Sequence, residues 1–308
     1  MRKAHYSEKK ERLIMKKKQK YIPQIVLNTL FVVLSALVIL PFLLVLAVSF
    51  SNEKDILEYG YKLIPMNVDV SAYKYVFDNP TTIMNAYKVT AIFSVIGMML
   101  SVLLMAMLAF VLSKKDLPGK SQMSFYLYFT MLFGGGLVPS YILITQYLHL
   151  GDNILVYILP GLISPWYVFM MRTFFTGIPY EITESAILDG ASEYRIFFSM
   201  ILPLSKPVLA TVALFTFLGK WNDWNTSMLY INDPELFSLQ YMLQRILKNI
   251  ELLQLDTTNL NLLKEISEVP SETVRMAMAV VVAGPVLVVF PFFQKYFVRG
   301  LTVGSVKG

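Results

Sequence analysis

The sequence predicts an all-α integral membrane protein with six transmembrane helices, and three observations carry that prediction. Of its 308 residues, 56% are hydrophobic and the mean hydropathy is +0.55, whereas soluble domains sit near about 45–50% apolar. Six runs are long enough for a hydrocarbon core of roughly 30 Å, at 22–50, 85–112, 122–148, 153–176, 207–230 and 273–298. Lysine and arginine crowd the loops that alternate crossings place inside, and they are missing from 149–152, which falls outside.

Taken in order, residues 1–21 carry Arg2, Lys3, Lys9, Lys10, Arg12, Lys16, Lys17, Lys18 and Lys20, a basic cytoplasmic segment beside the first span. The first apolar run starts near Ile22, exceeds the length of a signal-peptide core and shows no small-residue cleavage site. Residues 22–84 then form the first span and an outer loop, with a short interfacial helix expected near 71–78. Residues 85–299 make the core, and the turn 113–121 is inside because it holds Lys114, Lys115 and Lys120. Six crossings place the C-terminal segment 300–308 in the cytoplasm, flanked by Lys295 and Arg299.

Two spans are interrupted. The third contains Phe133-Gly134-Gly135-Gly136-Leu137-Val138-Pro139, which is incompatible with a regular helix throughout. Non-helical backbone at membrane depth is tolerated only when buried in protein or lining a watery cavity, so Gly135 and Gly136 mark either a solute route or a close helix contact. The fourth is expected to kink at Pro160-Gly161 and Pro165.

The fifth carries Lys220-Trp221-Asn222-Asp223-Trp224-Asn225, about 21 Å beyond Pro207 at 1.5 Å per residue. An interfacial aromatic belt with Lys220 snorkelling outward would read this way. Buried amides and a carboxylate, however, require a cavity or partner, and aromatic faces beside them suit a sugar, so Trp221, Asn222, Asp223 and Trp224 are candidate substrate-path residues. In the outer segment 231–272, Leu239, Met242, Leu243, Ile246, Leu247 and Ile250 form one helical face opposite Gln244, Arg245, Lys248 and Asn249. A polar loop at 256–261 follows, and together they suit an extracytoplasmic partner or a solvated lid.

The chain is organised around residues 181–207, EITESAILDGASEYRIFFSMILPLSKP, a polar interruption between two apolar spans. A first helix over 181–188 is expected, then a turn at Asp189-Gly190, because glycine accepts positive φ. A second helix over 191–201 would bury Ile196, Phe197, Met200 and Ile201 at 3–4 spacing. An interfacial linker would share that pattern.

The residues resemble something more specific. Glu184-Ser185-Ala186, then Asp189-Gly190-Ala191, then Leu202-Pro203 are similar to the EAA loop of binding-protein-dependent ABC import permeases. Ser185 replaces the first alanine of that motif and Met200 stands at its isoleucine, with the spacing intact. The tail Gly300-Leu301-Thr302-Val303-Gly304-Ser305-Val306-Lys307-Gly308 and the Phe217…Trp221-Asn222-Asp223 run resemble the smaller permease of maltose-type importers, and the Gly-Gly-Gly-Leu-Val-Pro stretch and Met171-Arg172-Thr173-Phe174-Phe175 resemble an oligosaccharide or polysaccharide-uptake branch of them.

The resemblance implies a type I importer permease fold in a bacterial inner membrane. It implies a second permease, most naturally a heterodimer partner, an ATPase dimer that uses ATP and Mg, an extracytoplasmic solute-binding protein and a carbohydrate substrate, all within membrane lipid. Glu184, Ser185, Ala186, Asp189, Gly190, Ala191, Leu202 and Pro203 would form the ATPase-coupling element. An import permease for a peptide or phosphodiester would share that loop, and a stand-alone secondary carrier is a more distant reading.

No catalytic centre is expected. Gly119-Lys120-Ser121 has the ending of a phosphate-binding loop, but Lys114 occupies the leading glycine position. Zero cysteines and two distant histidines, His5 and His149, leave no metal-ligand cluster. The net charge of +6 and pI near 9.2 are explained by membrane-flanking lysines and give no reason to expect nucleic acid. The sequon Asn225-Thr226-Ser227 lies within a predicted span. No cofactor is expected on this chain.

Overall fold

A computed structural model describes residues 2–78, 80–255 and 271–304, and it describes side chains from residue 24 onward except at 250–251, 253–255 and 295–304. Among the described residues every regular element is helical, and the one extended pairing is an isolated bridge between Ser51 and Val68. The chain divides into two compact units, Met1–Val76 with Pro270–Val280, and Phe77–Val269 with Val281–Gly308.

The first unit contains α1 (Arg2–Ser49), α2 (Glu53–Tyr59), α3 (Ser71–Val76) and the start of α15 (Ser271–Gly304). Helix α1 begins twenty residues before the predicted span, so the basic segment is its continuation. Its apolar stretch Gln24–Ser49 leaves most side chains exposed, as a lipid-facing helix requires. The segment after α1 is held by side-chain locks: the Ser49 hydroxyl meets that of Tyr73 at 2.9 Å, and Asn52 donates to Asp69 at 3.0 Å. The Glu53 carboxylate, on α2, accepts from the backbone N–H groups of Glu272 and Thr273, both at 2.9 Å. It thereby satisfies two of the unpaired donors that open α15. The interfacial helix expected near 71–78 is α3, and α2 is an addition that its seven residues were too few to signal.

The second unit is built on α4 (Pro80–Ser113), which packs against α8 (Pro165–Thr176) and α12 (Lys206–Trp221). Small or apolar residues of α4, including Met105, Ala106, Ala109 and Leu112, meet Val168 and Met171 of α8 and Val208 and Val212 of α12. A second core, toward the other end of α4, joins Phe93 to Tyr157 on α7 (Leu155–Ile158) with their rings stacked at 4.3 Å.

Three straight helices are long and apolar enough to cross a membrane, Gln24–Ser49, Pro80–Ser113 and Ser271–Gln294. Two bent pairs bring the possible total to five. In the first, Lys120–Leu132 (α5) meets Leu137–Tyr147, which is α6 (Leu137–Ile142) plus a π-turn, at 109°. In the second, Glu193–Leu204 meets α12 at 81°.

The predicted spans need two corrections. Residues 153–176 are no single helix but α7 and α8, separated by Gly161 at φ +74° and restarted by Pro165 at the head of α8. Proline disfavours helix in the residue before it, so the kink expected from sequence is a full break. The span 207–230 likewise ends at Trp221 and resumes as α13 (Asn225–Tyr230). The expected amphipathic helix is present as α14 (Leu239–Leu255), with Leu239 and Leu243 buried. The loop expected at 256–261 lies outside the described residues. Helix α15 continues to Gly304, so residues 300–304 of the C-terminal segment are helical, and 305–308 lie outside the described residues.

Candidate functional site

The first helix and the turn expected in the stretch 181–207 are present. Helix α9 (Tyr180–Leu188) ends at Asp189, and Gly190 follows at φ +77°. The N–H of Gly190 donates to Ile187 at 3.0 Å and that of Ala191 to Ala186 at 2.9 Å. These two bonds define a Schellman stop, whose left-handed position glycine fills without steric strain. A Cβ added at Gly190 would meet nothing within 4 Å.

The second helix opens at Glu193 rather than Ala191, because the Ser192 side chain caps it by accepting from the N–H of Arg195 at 3.4 Å. Helix α10 (Glu193–Ile196) widens into a π-turn at Phe197–Ile201 before the short α11 (Leu202–Leu204). Pro203 has no N–H and its ring displaces a carbonyl of the preceding turn, so a widened turn just before it relieves the crowding.

One face of this element is seated on the membrane helices. Ala186, Ile196, Phe197 and Ile201 are buried against Phe110 and its neighbours on α4 and Phe175 on α8, with Ala191 and Leu202 packed at the margin. The opposite face is bare: Glu184, Ser185, Asp189, Gly190 and Pro203 are exposed, and Leu188 is 83% exposed. The eight motif residues therefore separate into three that seat the element and five that it presents.

Two lysines tie it down, a role that the sequence reading had missed. Lys114 forms an ion pair with Glu193 at the head of α10. Lys115 lies 5.6 Å from the ring centre of Tyr180 at the head of α9. Lys120 donates to the Lys114 carbonyl at 2.7 Å and stiffens the turn that carries both. The turn 113–121 had signalled topology alone, since its partners are some 65–80 positions away in sequence.

The substrate-path candidates are placed in two groups. Gly135 and Gly136 lie in the extended break between α5 and α6, exposed, with Gly136 at φ +83°. Neither α5 nor α6 buries a residue, and Phe129 stacks on Phe133 at 4.6 Å beside the break.

The second group is less open than the sequence suggested. Trp221 is 4% exposed, 5.7 Å from the Phe217 ring, and donates its indole N–H to Val282 O at 3.2 Å. It is a core residue within this chain. Asp223 caps α13, accepting from the Thr226 N–H at 3.0 Å and its hydroxyl at 2.6 Å. Asn222 and Trp224 remain exposed, and Asn222 accepts from Gln240 of α14 at 2.9 Å. The two groups are linked through Tyr141, beyond the glycines, and Tyr230, at the end of α13, whose rings stack at 5.7 Å.

Lys220 does not snorkel. Its ammonium donates inward to Tyr157 O at 2.8 Å. Around it runs a buried hydroxyl cluster: Tyr157 meets Ser227, the Ser238 N–H donates to Ser227 at 2.9 Å, and the Ser238 hydroxyl donates to Asp223 O at 2.8 Å. Leu239 N, at the head of α14, donates to Thr90 on α4 at 2.9 Å. This cluster fixes the break at 222–224 and the head of α14 to one scaffold. Among the described residues no group of histidine or carboxylate side chains is placed to hold a metal ion.

Residues 86–303 match the family described as the binding-protein-dependent transport system inner membrane component. The chain is 37% identical over 279 residues to the polygalacturonan/rhamnogalacturonan transport system permease protein YtcP of Bacillus subtilis (strain 168), covering 90% of this chain and 96% of that one. It is 27% identical over 298 residues to the arabinooligosaccharides transport system permease protein AraQ of Halalkalibacterium halodurans, covering 96% and 100%. Among solved structures, a chain of a bacterial ABC transporter involved in the import of the acidic polysaccharide alginate superposes with a TM-score of 0.75. It is 27% identical and covers 90% of this chain and 96% of its own length.

Proposed function

The chain belongs to the family of binding-protein-dependent transport system inner membrane components, and from that premise we propose that it is the permease subunit of an ATP-driven importer of an oligosaccharide. It spans a bacterial inner membrane six times with both termini cytoplasmic, and it pairs with a second permease. An ATPase dimer docks below, supplying the ATP and Mg chemistry that this chain lacks. A solute-binding protein delivers the sugar from outside, where α14 meets it. The names of several similar permeases, which are those of saccharide transport systems, support the substrate class.

The observation that carries the proposal is the two-faced element at 180–204. Its buried face is continuous with α4, α8 and α12, while its bare face presents Glu184, Ser185, Leu188, Asp189 and Gly190. An ATPase cleft that closes around the bare face would move the buried face as a rigid body. The permease would then swing between inward-open and outward-open states. Differential affinity of ATP for the closed ATPase supplies the energy, and this chain transmits it.

Gly135, Gly136, Asn222 and Trp224 are assigned to the sugar route, with Trp221 and Asp223 shaping it from behind. The end of α15 reaches toward the ATPase. The broken α5–α6 pair supports the route, because exposed backbone at membrane depth requires water or protein against it.

The test is purification of the tagged chain in mild detergent with mass spectrometry of what accompanies it. A second permease of this family together with an ATPase is the expected result. A chain that purifies alone or self-paired at every detergent strength would return the carrier reading.

A further inference from the structure

We propose that Gly284-Pro285 is a hinge within α15, and that Tyr87 on α4 and Trp221 on α12 form the latch that sets its bend. The proposal rests on the permease reading and adds how movement of the core reaches the last helix. Pro285 has no N–H, so the Val281 carbonyl one turn earlier has no helical donor, and the proline ring crowds it. The Tyr87 hydroxyl donates to that carbonyl at 2.5 Å. The indole N–H of Trp221 donates to the next one, Val282 O, at 3.2 Å. The two aromatic side chains stand side by side, with ring centres 6.4 Å apart.

Neighbouring side chains commonly re-satisfy carbonyls freed by a proline at membrane depth, and three observations make this repair a movable one. The donors are side chains of two other helices, so releasing them breaks no backbone bond of α15. Gly284, beside the proline, would have nothing within 4 Å of an added Cβ, so the bend can change there without collision. Beyond Val281 no described side chain as far as Gln294 is buried, and Leu287, Val288, Phe290 and Phe292 are exposed. Packing within this chain therefore does not fix the direction of that stretch, which leaves the two carbonyl bonds to set it.

The latch stands on the helices that carry the coupling element. Phe110 of α4 and Val208 and Val212 of α12 belong to the core on which residues 180–204 are seated. A displacement of that element moves α4 and α12, and with them the two donors that hold α15. One neutral hydrogen bond biases a two-state equilibrium by about two- to tenfold. Two of them favour one bend, yet stay below the roughly 10⁴-fold preference that switches a population completely. The latch therefore yields within a transport cycle driven by ATP.

The chain has no cysteine, so spin labels at Met99→Cys on α4 and Val288→Cys on α15, both exposed, report the bend in the complete transporter with cysteine-free partner subunits. In lipid nanodiscs the label distance of the parent is expected to change when ATP traps the closed ATPase. Tyr87→Phe deletes one oxygen and keeps the ring. Its resting distances should spread toward the trapped one, and ATP hydrolysed per sugar imported should rise about two- to tenfold, the scale of one hydrogen bond. Pro285→Ala returns a helical donor to Val281 and should abolish the shift, and Gly284→Ala, which should shrink it, serves if the alanine at 285 prevents assembly. Parental distances and ratio in Tyr87→Phe, or a full ATP-dependent shift in the proline or glycine variant, overturn the hinge. A parent complex that imports sugar with no change in distance also overturns it and leaves the permease reading standing. A complex that imports no saccharide overturns both.

Discussion

Gly97 on α4 opens the space that Lys220 on α12 occupies. A Cβ at residue 97 would stand 2.6 Å from Lys220 Cε and 2.7 Å from Cδ. The missing side chain lets the lysine stem lie flat against α4 and turn its ammonium inward to Tyr157 O, an unpaired carbonyl near the end of α7. A valine at position 97 must displace that stem and break the bond. The expected loss is about 1.5–3 kcal/mol, typical of a hydrogen bond to a charged group. Thermal unfolding in detergent reads it, and the same substitution in a Lys220→Ala background should be much milder. Equal penalties in both backgrounds would show that the lysine is not what Gly97 accommodates.

The ion pair between Lys114 and Glu193 should matter for coupling more than for stability. Both side chains are partly exposed, 34% and 56%, and exposed pairs contribute roughly 0–1 kcal/mol. Charge reversal at either residue is expected to leave the melting temperature nearly unchanged and to raise the ATP hydrolysed per sugar imported. The double reversal should restore the ratio. If single reversals transport at parental efficiency, the lysine does not position α10.

Gly190 separates a local backbone effect from an interface effect. Its φ of +77° disfavours an L side chain by about 1–2 kcal/mol, yet the space around its Cβ is open within the chain. Asparagine tolerates this backbone, so Gly190→Asn should fold nearly as the parent does. Transport is nevertheless expected to fall at least tenfold, because the new side chain stands on the face proposed to meet the ATPase, and co-purified ATPase should fall with it. Parental transport by both Gly190→Asn and Gly190→Asp would remove the coupling assignment.

Asp152 predicts a pH-sensitive turn at 231–238. Its carboxylate accepts from the backbone and side-chain N–H groups of Asn232, the latter at 3.1 Å, and from the Asp233 N–H at 3.0 Å. The bonds to Asn232, and then that to Asp233, hold its pKa below the usual carboxylate value. A depressed folded-state pKa means that the clamp contributes fully above about pH 4, the unfolded carboxylate value. The contribution is lost as pH falls through the depressed folded value. Proteolysis of the 231–238 turn should accelerate only in that acid window for the parent, and Asp152→Ala should be cleaved rapidly at neutral pH as well. Equal rates for both proteins at neutral pH would refute the clamp.

Much of the fold was legible because it is written in short-range signals. Asp189-Gly190 announced its left-handed stop, the 3–4 spacing of Ile196, Phe197 and Ile201 announced the buried side of the second helix, and Leu239 and Leu243 announced α14. Gly134-Gly135-Gly136 announced a broken helix, though not its 109° bend. In each case the deciding physics, which is steric freedom at φ and the period of apolar residues, lies within a few positions of the residue itself.

What only the tertiary structure decided are the destinations of polar and aromatic side chains at membrane depth. Lys220 reads as a snorkelling residue until Gly97, 123 positions earlier, offers it a channel inward. Trp221 reads as a sugar platform until Val282 and Phe217 enclose it. Lys114 reads as a topology signal until Glu193 arrives beside it. The sequence by itself determined where helices begin, break and turn, because backbone preference is local. The fold determined which charges find partners, because in a medium without water a side chain's position depends on which distant helix packs against it.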